Sequence, residues 1–309
     1  MTDFDLGIIG SGPAGLSAAI YGVTEGFSTL VYEKSVIGGQ AHYSTHIENV
    51  IGFPNGFTGK NYSAWGYAQA RKFGAEFHHA AASELTILSD GMKQIRSDKN
   101  DLHTFKALIL ANGAEFNRLT IPGESLAGVC YGQTPNVPDG ENVVIVGGAN
   151  SAGQAAMFMS RTARSVKILI RSHLNMSAYL LNRIVKTPNI EIITGAVAVS
   201  AEGDDKLHKI SYSVNGKIVE IEACALCVFI GATPRTDWFR DLIETEATGH
   251  IRTGFDVRSF RSDSRLISPL ETNIPGIFAA GDCRLGSIAR VATAQGEGAA
   301  AVTGVHKII

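Results

Sequence analysis

Apolar positions along the chain alternate between two periods. Leu6-Gly7-Ile8-Ile9 is a short apolar strand, and Leu16, Ala19, Ile20 and Val23 then recur at helical spacing between Pro13 and Gly26. A second strand, Ser28 to Glu33, follows at once. The whole β-α-β unit spans about 30 residues, the usual minimum for a parallel crossover. The same pattern returns with a strand over Asn142 to Val146, a helix over Ser151 to Arg164 and a strand over Val166 to Arg171. Farther on, Ile218 to Ile230 reads as one long apolar strand, and Ile277 to Ala280 as a short one before Gly281-Asp282.

The two units start 137 residues apart, counting from Gly10 to Gly147. A chain of 309 residues suits two domains at roughly 150 residues each. Asn117 to Gly123 (N-R-L-T-I-P-G) reads as a crossing out of the first domain, and Pro234 to Asp241 as a crossing back. The expected organisation is therefore a discontinuous first domain, residues 1–117 and 245–309, with residues 118–244 inserted as the second. The polar run Arg258 to Arg265 reads as a solvated loop whose arginines could also hold an anion.

Composition sharpens this picture in three places. Lys plus Arg total 27 against 29 acids, a net charge of -2, so nothing draws the chain to phosphate backbones or anionic lipid. Thirty-four glycines are about 11% of the chain, above the usual share near 7%, which suggests close backbone turns or ligand approaches. Four scattered cysteines do not form a disulfide framework. The acidic N-terminus lacks the basic stretch of a secretory signal. No apolar run reaches the roughly 18 residues of a membrane span. The expectation is a soluble, cytoplasmic protein that binds neither nucleic acid nor membrane.

Gly10-Ser11-Gly12-Pro13-Ala14-Gly15 fits G-x-G-x-x-G between a strand and a helix. In such a turn Gly10 permits the tight bend, Gly12 lets the backbone approach a pyrophosphate, and Gly15 lets helix and strand pack. The helix N-terminus offers free N–H groups to phosphate. Glu33 ends the next strand, where a carboxylate can hold a ribose with both hydroxyls free. The second fingerprint, Gly147-Gly148-Ala149-Asn150-Ser151-Ala152, has alanine where the second glycine belongs. Its second strand ends in Arg171, which suits a 2′-phosphate, and His173 could add a contact. The expected fold class is α/β with two Rossmann-like dinucleotide-binding domains. The alternative is a retained fold whose second nucleotide site has decayed.

The run G-S-G-P-A-G, with E-K at Glu33, G-G-Q at 38–40, I-E-N at 47–49 and G-F-P, resembles low-molecular-weight thioredoxin reductase. So do A-N-G-A at 111–114, G-G-A-N-S-A at 147–152, I-G-A-T-P at 230–234 and P-G-I-F-A-A-G-D at 275–282. The motifs occur in family order over essentially the whole chain. The resemblance implies an FAD domain split by an inserted NAD(P)H domain, in a homodimer. It places FAD against Gly10, Gly12, Pro13, Ala14, Gly15, Glu33, Gln40, Asn49 and Gly113. Asp282 would meet the ribityl-pyrophosphate part, and the backbone at Val291 and Ala292 the flavin ring. Gly148, Asn150, Ser151, Ala152 and Arg171 would hold the nicotinamide nucleotide, NADPH or NADH.

The pattern breaks where the family carries its redox-active Cys-x-x-Cys. Here that stretch is Gly128-Val129-Cys130-Tyr131-Gly132-Gln133-Thr134-Pro135. One register puts Gly132 and Pro135 in the cysteine places, and the other puts Cys130 and Gln133 there; neither gives a pair. Cys224-Ala225-Leu226-Cys227 lies in an apolar strand, where residues three apart face opposite ways, and reads as two core cysteines. Cys283 reads as packing near the flavin tail. The family's NADPH site is His-Arg-Arg followed by a further Arg; here Ile170-Arg171-Ser172-His173 and Met176 keep one of those cations. His42, Tyr43 and His46 lie in a stretch that in the family passes near the flavin, as proton relay or as packing. His78-His79 reads as a solvated loop, and no metal-ligand spacing appears.

The sequence therefore resembles thioredoxin reductase-like flavoproteins without the cysteine pair. The implied function is FAD-dependent oxidation of NAD(P)H, with electrons passing to ferredoxin, flavodoxin, a quinone, a small disulfide or oxygen. The alternatives are a flavin-binding sensor or interaction subunit, and a true thioredoxin reductase using Cys224 and Cys227. No catalytic residue is assigned.

Overall fold

The computed structural model describes residues 3–44, 46–259 and 268–309. The chain divides into two compact units, Met1–Glu115 with Thr233–Ile309, and Phe116–Ala232. The first crossing lies between Glu115 and Phe116. The return comes at Thr233 rather than Thr245, because Phe239 and Ile243 are buried in the core of the first unit with Ile251 and Cys283. The polar look of residues 234–241 hides Phe239, and Ile243 lies just beyond that run.

The first unit opens with β1 (Asp3–Ile9), α1 (Pro13–Thr24) and β2 (Thr29–Tyr32). Pro13 sits at the first helical position, where its fixed φ is preformed for the helix and its missing N–H costs nothing. Next come α2 (Gly59–Lys72), β3 (Glu76–His78), β4 (Ala82–Ile87), β5 (Lys93–Ser97) and β6 (Leu102–Leu110). The order across the sheet is β3-β2-β1-β6-β5-β4. β1, β2, β3 and β6 run parallel, while β4, β5 and β6 form an antiparallel meander. The meander carries no nucleotide motif. His78 pairs with Tyr32 across β2 and β3 and is half-buried, so it is part of the sheet rather than a solvated loop.

Two-residue β7 (Glu115–Phe116) leads into the second unit. That unit contains β8 (Val129–Tyr131), β9 (Asn142–Val146), α3 (Asn150–Met159), β10 (Ser165–Ile170), α4 (Ala178–Val185) and β11 (Ile190–Thr194). β12 (Ala196–Glu202), β13 (Lys209–Val214), β14 (Lys217–Glu222) and β15 (Ala225–Val228) complete it. The parallel sheet has the order β11-β10-β9-β15-β8, and β12-β13-β14 is a separate antiparallel sheet. α3 stops at Met159, not Arg164. The backbone beyond is drawn into bonds with the loop before β9, Gly140 N to Thr162 O and Arg164 N to Glu141 O.

The expected strand from Ile218 to Ile230 is two strands in two sheets. Lys217, Glu220 and Glu222 are exposed on β14, which is half solvated, whereas A-L-C-V of β15 is buried on both faces. Asn215-Gly216, both at positive φ, supply the tight turn that pairs β13 with β14.

The chain returns through β16 (Ala232–Thr233), then β17 (Ile277–Ala279), parallel to β6, and α5 (Val291–Val305). Of the polar run at Arg258, only its first two residues lie among the described ones; Arg258 N and Ser259 N donate to the Glu244 carboxylate at 2.8 and 2.7 Å. Apolar clusters cover both faces of the first unit's sheet, and a second pair does so in the other unit.

Candidate functional site

The site begins at the turn between β1 and α1. Gly10 has φ +99°, a conformation that favours glycine, and a methyl there would strike the Ala111 carbonyl. A methyl on Gly15 would strike the Gly10 carbonyl, so Gly15 sets how closely α1 lies on the strand end. Gly12 differs from both: a methyl there would meet no heavy atom within 4 Å. Sterics thus close the turn on two sides and leave it open at Gly12, the N-cap of α1, where the free N–H groups of the first turn point. Pro13 and Ala14 form that first turn.

Three other segments converge on the turn. Glu33, buried at the end of β2, accepts from Ser11 N at 2.9 Å, Ser11 Oγ at 2.6 Å and Ser35 N at 2.9 Å. Gly38 N donates to Ser11 O at 2.9 Å, which brings the 38–40 loop alongside. Gly281 lies against Ala14, and its N–H donates to Glu297 Oε2 at 2.7 Å. Glu297 also takes Arg284 side-on, at 3.1 and 2.6 Å, so one carboxylate from α5 fixes the turn holding Asp282. α5 can approach α1 because a side chain at Gly298 would collide with the Ala14 carbonyl. Ser17 Oγ completes the contact by donating to Gln295 O at 2.7 Å.

Asp282 makes no hydrogen bond or ion pair among the described residues. Burial first, and then the Glu297 charge, hold its carboxyl above the usual range, with His250 opposing. A partly buried carboxyl without a partner beside an open glycine fits a ligand that donates hydroxyl groups. Gly113 is at φ +61° with open space around it, and the buried Asn112 Oδ1 has no partner. Gln40 donates to the Ala114 carbonyl, and Val291 and Ala292 open α5 with their backbone N–H groups free of the helix ladder. Asn49 is exposed beyond the Ile47–Phe57 bridge and is not drawn to the turn by any hydrogen bond among the described residues.

Of the flanking residues, His42 has a buried Nδ1 without a partner, His46 Nε2 lies 3.4 Å from Glu48, and Tyr43 is exposed. Cys283 packs in the core, bonded to Leu110 O and Ala280 O, and burial pushes its thiol up to about 12. The sequence reading missed Ser11 and Glu297. Glu297 had a visible signal, a lone carboxylate in the small-residue run A-T-A-Q-G-E-G-A-A-A.

The second fingerprint is built differently. A methyl on Gly148 would strike the His173 carbonyl, so this glycine serves packing rather than ligand approach. Asn175 N donates to Gly148 O at 2.7 Å, and Ser177 N to Asn150 Oδ1 at 2.7 Å. The 173–177 segment thus straps the turn. Met176 packs against the core beside Gly153, which accounts for an apolar residue at that place. Asn150 and Ser151 open α3, with Ala152 buried behind them, and Arg171 and His173 stay exposed. Cys130 is buried inside β8, and no helix follows it before β9. Cys227 is fully buried, whereas Cys224 is only half-buried and precedes β15. All four thiols are free. Among the described residues no group of three or more His, Cys, Asp or Glu is placed to hold a metal, and no helix is long and apolar enough to cross a membrane.

Residues 4–298 match the model of the pyridine nucleotide-disulphide oxidoreductase family. The chain is 34% identical to the 34.2 kDa protein of the Clostridium pasteurianum rubredoxin operon, over 99% of this chain and 97% of that protein. It is 31% identical to thioredoxin reductase of Schizosaccharomyces pombe, over 99% and 97%. Among solved structures, Lactococcus lactis thioredoxin reductase superposes with a TM-score of 0.80 at 30% identity, covering 99% and 98% of the two chains. Thioredoxin reductase of T. acidophilum gives 0.78 at 27% identity, with 99% of each covered. The thioredoxin reductase-like family uses FAD and NADPH. The opening at Gly12, the buried Glu33 and the unpartnered Asp282 fit FAD in the first unit.

Proposed function

The chain belongs to the pyridine nucleotide-disulphide oxidoreductase family, and from that premise we propose a flavin-dependent NAD(P)H oxidoreductase that passes electrons directly to an external acceptor. The observation carrying the second half of this reading is the position of Cys130. It is the one thiol between Gly128 and Ala149, and it lies within strand β8 instead of beginning a helix. A redox pair of the family type needs two sulfurs at one site, and helix N-termini supply the lowered thiol pKa such pairs use.

Bound flavin supplies the electron-accepting chemistry, which is the cofactor's own. The protein's part is placement. Gly12 and the first turn of α1 would take the pyrophosphate, and Glu33 the adenosine ribose, already aligned by Ser11 and Ser35. Asp282, held by the Gly281–Glu297–Arg284 bonds, would accept from the ribityl hydroxyls. Val291 and Ala292 would present backbone N–H groups to the ring. In the second unit the α3 N-terminus and exposed Arg171 favour a phosphorylated nucleotide, so NADPH is the proposed donor. The acceptor is a small disulfide, a quinone, oxygen or a redox protein such as ferredoxin.

A second reading, a flavin-binding sensor, draws on the strap over the second fingerprint, where Asn150 Oδ1 is already used by Ser177 N. Anaerobic mixing with NADPH, and separately with NADH, separates the two. Bleaching of the flavin's visible band by NADPH is expected. A flavin that dithionite reduces and neither nucleotide does would favour the sensor.

A further inference from the structure

Cys130 and Cys227 are far apart in sequence but directly opposite in the second unit's sheet, as register partners on the adjacent parallel strands β8 and β15. Their neighbours Leu226 and Val228 face one apolar cluster, while Cys130, Cys227 and Ala225 share the other, on the α3 side. The two sulfurs therefore project from the same face of neighbouring strands, and Cys130 Sγ also reaches the Leu226 carbonyl of β15, 3.7 Å away. Adjacent strands run about 4.8 Å apart, inside the window of roughly 4.4–6.8 Å that a disulfide spans between Cα atoms.

We propose that Cys130 and Cys227 form a reversible cross-strand dithiol site, closed to a disulfide by a peroxide. The two residues divide the work. Cys130 is the more accessible, at 8% exposure against 0% for Cys227, and its Sγ reaches the Gln133 carbonyl at the edge of the sheet, 3.1 Å away. The neighbouring Cys227 side chain holds the Cys130 thiol below its ordinary range, while Cys130 and burial hold Cys227 well above its own. The thiolate is the nucleophile in such chemistry.

Cys130 sulfur attacks one oxygen of hydrogen peroxide, the O–O bond breaks, and the departing hydroxide takes a proton to leave as water. Cys227 sulfur then displaces the hydroxyl from Cys130, forming the S–S bond and releasing a second water. Each sulfur gives up one electron and the peroxide accepts both. Cys224 is not the expected partner. It precedes β15, and its Sγ contacts the Asn142 carbonyl at 3.7 Å. Cys283 lies in the other unit, fully buried.

The site sits at the flank of the second fingerprint. β15 leads directly to Phe229, whose N–H donates to Val146 O and whose carbonyl lies against Gly147. The disulfide would tie β8 to the strand that backs this turn.

The test uses the full-length protein, treated with hydrogen peroxide at near-stoichiometric ratio, then denatured for thiol counting and peptide mass mapping. The count is expected to fall from the four cysteines to two and to recover with dithiothreitol. A peptide joining Cys130 to Cys227 should account for the loss. Cys224→Ser should still lose two thiols, whereas Cys130→Ser and Cys227→Ala should lose none in pairs. A Cys224–Cys227 link, sulfinic acid on Cys130 without a cross-link, or four thiols persisting in tenfold excess peroxide would each overturn the proposal. The readout involves neither flavin reduction nor nicotinamide, so it stands or falls apart from the proposed activity.

Discussion

The two β-α-β units share one plan and differ in what their glycines do. At Gly12, the N-cap of α1, the backbone is open; the matching N-cap of α3 is Ala149, and Gly148 before it is closed off by the His173 carbonyl. The acid after the first unit is buried and bonded back to the turn through Ser11, while Arg171 after the second is exposed. A fold that binds a dinucleotide tightly therefore needs more than the strand-turn-helix frame. The glycine must face space, and the residue after the second strand must be held. By that measure the cradle proposed for FAD is built into the first unit, whereas the contacts proposed for the nicotinamide nucleotide in the second are exposed.

Substitutions sharpen this contrast in order of expected effect. Gly15→Ala forces a methyl against the Gly10 carbonyl and should cost about 3 kcal/mol, the upper part of the overpacking range, seen as a lower melting temperature for the protein without FAD. Glu33→Gln removes the charge from three short hydrogen bonds. It should weaken FAD binding by about 2 kcal/mol, measured by fluorescence on cofactor release.

Gly12→Ala separates folding from binding: the apo protein should melt unchanged, while FAD affinity drops roughly tenfold, about 1.4 kcal/mol. If the apo protein melts lower too, Gly12 is a packing glycine like Gly148 and the contrast fails. Arg171→Ala should cost about fivefold in NADPH affinity, close to 1 kcal/mol for an exposed charge pair, and leave NADH unchanged.

The smallest effect concerns pH. Asp282 has its folded pKa raised, chiefly by burial and then by Glu297, so the native state holds its proton longer than the unfolded chain does. Its cost is absent below the unfolded pKa and grows as pH rises through the folded one. Asp282→Asn should therefore raise the apo melting temperature slightly near neutral pH, not in acid, while lowering FAD affinity. Melting curves across that range check the sign.

The two strand-turn-helix units were legible because their signal is local: a glycine pattern, a strand before it and a helix after it. Asn142–Val146 appears as a strand just where its apolar run lies. What could not be read depends on distant partners. Phe239 and Ile243 belong to the first unit because of what they pack against, not because of their neighbours in sequence. Ile218 to Ile230 looks continuous because apolarity alone does not separate a half-solvated strand from a buried one; Glu220 and Glu222, two residues apart on one face, did carry that signal. The Cys130–Cys227 pairing is a matter of sheet register. Spacing drew the eye to Cys224-x-x-Cys227 instead, and only β15's start at Ala225 separates those two. Glu297 and Ser11 became site residues through hydrogen bonds that no motif encodes.

The most direct test of direct electron transfer is an anaerobic titration of the oxidised, FAD-loaded protein with NADPH, counting both equivalents and thiols. The expected result is complete flavin bleaching at one equivalent per flavin, with the number of free thiols unchanged. A second equivalent consumed while two new thiols appear would reveal an internal dithiol relay and contradict direct transfer. No bleaching at all would remove the nicotinamide donor.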